Sequence, residues 1–146
     1  MNFNEFIELV ELVKKQKPVL FRLESDDIPN EANIEFAEKH YGIMFPDCYR
    51  KFIKKYGGGS FAHGSIFSCD ENSIYYIIKN VHKDIVKEKK ILPFYDFETG
   101  DVAAFRINNE IISDKIVIYD HESEKIEETN LDFFEFVVKY ALKIQW

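Results

Sequence analysis

Four histidines, two cysteines, a glycine run and a late concentration of carboxylates are the side chains of this 146-residue chain whose types could do chemistry. His40, His63, His82 and His121 fall in neither H-x-x-x-H nor H-E-x-x-H spacing, so no helix face presents the paired imidazoles of a zinc hydrolase. His121 alone has a carboxylate on each side, Asp120 and Glu122, and such neighbours orient an imidazole for catalysis or metal binding. The same triplet at a strand end is also an ordinary surface turn, and that reading is preferred. Cys48 and Cys69 form no C-x-x-C and have no histidine at zinc-finger spacing; they are expected to stay reduced. Gly57-Gly58-Gly59-Ser60 has the composition of a phosphate loop. It follows a helical pattern, however, whereas an anion uses the free N–H groups at a helix start. The run therefore reads as a helix stop with room for another chain segment to approach closely. No metal site and no cofactor are expected.

The carboxylates are the stronger signal. Glu98 and Asp101 lie in one turn, and Asp120, Glu122 and Glu124, followed by Glu127 and Glu128, crowd the region after a strand-like run. As an acid–base pair they lack a nucleophile, oxyanion glycines and a suitably placed histidine, so the chain is expected not to be an enzyme. As candidate partner-binding residues, Glu98, Asp101, Asp120, Glu122 and Glu124 would concentrate negative potential at one sheet edge; a solvated rim without a partner accounts for them equally well. The formal net charge of −7 disfavours nucleic-acid phosphates and favours a basic protein partner. Every apolar run is broken well before the ~20 residues of a membrane span, and MNFNEFIELVELVKK has acids where a signal peptide would have none. A cytoplasmic protein without membrane contact is expected.

The elements that must position these groups follow from periodicity. Residues 3–16 read as a helix with Phe3, Phe6, Ile7, Val10 and Val13 on one face, and Asn2 with Glu5 as a capping box. Val19 to Leu23 reads as a short extended piece. Ile34, Ala37 and Tyr41 share a helical face ending at Gly42, and Pro46 opens a second helix with Tyr49, Phe52, Ile53 and Tyr56 as its stripe. Phe61 to Phe67 reads as a loop leading into an edge strand. A strand is expected near Tyr75 to Ile78, then an irregular or helical turn. Ile91 to Phe97, Val102 to Ile107 and Lys115 to His121 are three β-rich runs separated by turn signals, and Glu124 to Thr129 adds a short returning strand. The final helix starts at Asn130 or Asp132 and runs to about Ile144, with Phe133, Phe136, Val137 and Tyr140 in register. Arg50, Lys51, Lys54 and Lys55 read as solvating charges on a helix face. Helices, then strands, then a helix imply an α+β fold, residues 1–146 forming one domain with a mainly antiparallel central sheet and the N-terminal and C-terminal helices packed on it. The aromatic share of 16%, including 14 Phe and 8 Tyr, supplies the large side chains such a core needs.

The helix carrying Glu38, then Gly42-Ile43, Phe45-Pro46, Tyr49, Phe52, Tyr56 and the pair Gly57-Gly58, resembles the opening motif of the SUKH superfamily. That group holds bacterial immunity proteins and fungal cell-wall synthesis regulators. Leu92-Pro93-Phe94, Gly100-Asp101, Val117 to His121, and Phe133 with Phe136 extend the resemblance to the region from Ile34 to Leu142. Phe45 stands where many members carry Leu, and Tyr56 where many carry Asn. The resemblance implies an immunity protein that neutralises a cognate bacterial toxin, most often a nuclease and thus a basic toxin domain. Its alternative is a regulatory or scaffold module like the cell-wall regulators.

Overall fold

Asn2 starts the first helix, α1 (Phe3–Gln16), by a reciprocal capping box: its side chain accepts the Glu5 N–H while the Glu5 carboxylate accepts the Asn2 N–H. The structure is a computed structural model describing residues 1–109 and 111–144. Phe6, Val10 and Val13 are the buried face of α1. Pro18 then begins a single 3-10 turn over Pro18–Phe21 in place of the extended piece expected there. Proline's fixed φ suits a helical first turn as well as an extended one, and the Leu20 and Arg22 N–H groups bond back to the carbonyls of Lys17 and Val19.

Helix α2 (Glu31–Tyr41) is capped by Asn30 and stops at Gly42, whose φ of +69° is left-handed. Helix α3 (Asp47–Tyr56) follows Pro46, whose carbonyl accepts the Arg50 N–H at 3.0 Å. Between them Glu38 is buried at 8% exposure. Its carboxylate accepts the Phe45 N–H at 2.6 Å and the Arg50 guanidinium at 2.8 Å, which fixes the elbow joining the helices. Arg50, whose side chain is only 17% exposed, also pairs with Glu31. It is thus a partly buried strut rather than the solvating charge the sequence suggested. After α3, Gly57 takes φ +84°, and a Cβ there would stand 2.0 Å from the Asp26 carbonyl oxygen. The glycine run lets the Asp26 loop cross at van der Waals distance, with the Asp26 N–H on the Gly58 carbonyl at 2.9 Å.

The sheet is a six-stranded antiparallel meander in chain order, β1 (Gly59–Phe61), β2 (Gly64–Ile66), β3 (Ile91–Asp96), β4 (Val102–Asn108), β5 (Ile111–Tyr119) and β6 (Ile126–Glu128). The expected loop at 61–67 is a tight hairpin, β1–β2, turning at Ala62-His63. Two short helices, α4 (Ile77–Asn80) and α5 (Lys83–Lys89), separate β2 from β3, and α6 (Phe133–Tyr140), capped by Asp132, closes the fold. Of the strand expected at 75–78, Ile77 and Ile78 belong to α4 and Tyr75 lies in a turn. Only Tyr76 keeps a bridge, parallel to Ser68, because the Tyr41 hydroxyl donates to the Ile77 and Val81 carbonyls and holds the segment coiled.

Helices α1, α2, α3 and α6 share one core with one face of the sheet. Phe133 lies 5.0 Å from Phe94 and 5.7 Å from Phe52 and Phe105, and Phe6 lies 5.0 Å from Phe134. Such pairs each contribute about 0.5–1.5 kcal/mol beyond the area they bury. Tyr49 is wholly buried and donates its hydroxyl to the Phe67 carbonyl at 2.6 Å. The β3–β4 register shifts between Pro93 and Tyr95, where proline has no N–H to give the ladder, and the shift puts both Phe94 and Tyr95 into this core. The opposite face carries a smaller cluster of Ile91, Ala104, Val117 and Tyr119, against which Ile85 of α5 packs.

Candidate interaction surface

In an antiparallel meander the β3–β4 and β5–β6 turns emerge at the same end of the sheet, so its topology gathers all five carboxylates singled out in the sequence. The first turn is closed by the Asp96 carboxylate, which accepts the Glu98 N–H at 2.7 Å, and by Gly100 at φ +99°. In the second, one Asp120 carboxylate oxygen accepts the N–H groups of Glu122 at 2.9 Å and Ser123 at 3.3 Å. These backbone donors hold the Asp120 carboxyl below its ordinary pKa.

The two turns are stitched together. Asp101 Oδ1 lies 2.7 Å from His121 Nδ1 and accepts the His121 backbone N–H at 3.1 Å. The imidazole lies against Gly100, where a Cβ would come within 2.6 Å of the ring. The Asp101 carboxylate raises the His121 pKa, and Asp120 and Glu122 add to the effect. Glu98 accepts from the Ser65 hydroxyl at 3.2 Å, and Glu124 pairs with Lys89 at 3.2 Å, tying α5 to the second turn and raising the Lys89 pKa. Glu122 stays open to solvent, 4.0 Å from the far nitrogen of His121.

Asp101, Asp120 and His121 offer ligand atoms within 4.8 Å of one another, a grouping that could hold a cation. The Asp101 and Asp120 carboxylates already accept the contacts that close and join the turns, and we assign them that role. Cys48 and Cys69 are unpaired thiols whose pKa values burial pushes up to about 12, which removes them as nucleophiles. Among the remaining tyrosines, Tyr76 and Tyr95 are buried and Tyr75 is half-buried.

Next to the stitched turns, on the smaller-core face of the sheet, lies a cleft of about 560 Å³. Its floor includes Pro93, Val102 and Tyr119, one wall is α5 with Asp84, Ile85 and Glu88, and Gly100 and His121 stand at its turn end. The irregular or helical turn expected after residue 78 is the pair α4 and α5, and α5 forms a wall of this cleft. The signal for α5 was present in the i, i+4 spacing of Asp84 and Glu88 around the apolar Ile85.

Residues 31–137 match the family model of the SUKH group described as SMI1-KNR4 cell-wall. The chain belongs to the SUKH superfamily. No curated protein and no solved structure gives a match. The family's span takes in α2, α3, the whole sheet and most of α6, so both the Glu38 elbow and the stitched turns are parts of the SUKH domain. The resembling residues Glu38, Gly42, Pro46, Tyr49, Phe52, Gly57 and Gly58 all build the α2–α3 unit and its exit, at positions where burial, capping or close approach decides the residue type. No helix among the described residues is long and apolar enough to cross a membrane.

Proposed function

We propose that this SUKH-superfamily protein is a non-enzymatic immunity protein that neutralises a basic bacterial toxin domain, a nuclease in the first instance, through the acidic end of its sheet. One observation carries the reading. Residues 96–101 and 120–125 bring six carboxylates and one lysine to two turns held against each other by the Asp101–His121 contact. Like charges so placed repel, a cost that a binding protein recovers when a positive surface arrives.

A nuclease holds phosphates with lysines and arginines, and a preformed set of carboxylates competes for that surface while steering the encounter electrostatically. No bond is made or broken in this mechanism. Blocking follows from occupancy, and affinity from complementary charge plus the apolar contacts around it. Co-expression with the proposed cognate toxin domain tests the reading: cells survive with the intact protein and die with Glu98, Glu122 and Glu124 changed to Lys. Survival without any complex between the two, or capture of envelope-synthesis proteins without rescue, would reject it, the latter in favour of a scaffold role.

A further inference from the structure

The α5 cleft is lined by the carboxylates of Asp84 and Glu88 and by Lys89, His82 and His121. Lys89 is engaged by Glu124, and His121 by Asp101. Asp84 and Glu88, by contrast, make no ion pair or hydrogen bond among the described residues, although both line the cleft and both are exposed. One helical turn apart, their Cβ atoms are about 6 Å from each other. Below them Pro93 and Val102 give an apolar floor.

From this arrangement we propose that the cleft is a pocket for an arginine side chain presented by the basic partner. The aliphatic stem lies on Pro93 and Val102, and the guanidinium reaches Asp84 and Glu88. A planar fork with donors on several edges can serve two carboxylates at once, and a guanidinium sheds water more readily than an ammonium. The cleft is continuous with the acidic turns through Gly100 and His121, so a partner docked on the turns has this pocket within reach. The inference rests on the acidic-surface reading and adds the specific group that is recognised.

Its test begins without the partner. The 15N-labelled protein is titrated with N-acetyl-Gly-Arg-Gly amide, with the citrulline peptide as an uncharged control of the same shape. Saturable shifts confined to α5 and the Tyr119–His121 region are expected, with citrulline about tenfold weaker, in line with the strength of charge-assisted hydrogen bonds. The double variant Asp84→Asn/Glu88→Gln, whose exposed side chains hold no structural contact, is expected to lose the response. Absent shifts, equal response to citrulline, or an unchanged double variant overturns the pocket. Binding of the toxin domain separates the two readings. Full affinity in the double variant, together with loss on reversing the turn charges, overturns the pocket and keeps the acidic surface. A peptide response with no toxin binding keeps the pocket and ends the immunity reading.

Discussion

Asp101 meets His121 twice, through the imidazole at 2.7 Å and through the backbone N–H at 3.1 Å, so one carboxylate sets both the ring and the chain of the neighbouring turn. The sheet end on which the proposed function depends is therefore a fixed surface rather than two independent loops.

This contact makes a pH prediction. His121 gains a carboxylate partner on folding and its pKa rises above the ordinary value of about 6.5. The ring's contribution is thus fully present below about pH 6.5 and fades as pH climbs through the raised native value. In an NMR titration His121 should titrate above 6.5 in the wild type and move down in Asp101→Asn. An unchanged midpoint would show that the ring and carboxylate do not interact in solution.

Glu38 should be the most sensitive polar position. Glu38→Ala strips the Phe45 N–H and the Arg50 guanidinium of a buried acceptor, a loss of about 2–3 kcal/mol, moderated because Arg50 keeps Glu31. Urea unfolding measures it; a change under about 0.5 kcal/mol, the range of ordinary surface substitutions, would contradict the strut.

Two glycines separate backbone strain from steric contact. At Gly42 a Cβ meets nothing within 4 Å, so Gly42→Ala should cost only the left-handed conformation, about 1 kcal/mol. At Gly57 the Cβ would sit 2.0 Å from the Asp26 carbonyl oxygen, and Gly57→Ala should cost about 3 kcal/mol or more. Equal losses in thermal unfolding would mean that the Asp26 loop does not press on the glycine run.

Much of this was legible in the sequence wherever local rules and tertiary demands agree. The Asn2–Glu5 box, the Gly42 stop and the β-rich runs Ile91 to Phe97 and Val102 to Ile107 formed as their spacing required, whereas the run expected at Lys115 to His121 belongs to a strand that begins at Ile111 and ends at Tyr119. Reading failed where a distant group decided the outcome. SIYYIIKN has strand composition, yet its last four residues coil into α4, where the Tyr41 hydroxyl meets the Ile77 carbonyl and that of Val81 just beyond. Strands β1 and β2 are too short, at 3 residues each, to show alternation. The site divided in the same way. Turn carboxylates are visible as turn formers, whereas their meeting across Asp101 and His121, and the cleft beneath α5, depend on strand order.

The central claim is that negative potential at the paired turns captures a basic protein. The most direct measurement is the dissociation constant for the proposed cognate toxin domain, taken from low to high salt. With several exposed carboxylates engaged, affinity should fall steeply across that range, and the Glu98→Gln/Glu122→Gln/Glu124→Gln variant should bind more weakly with a shallower salt dependence. Affinity indifferent to both salt and the three substitutions would contradict the account.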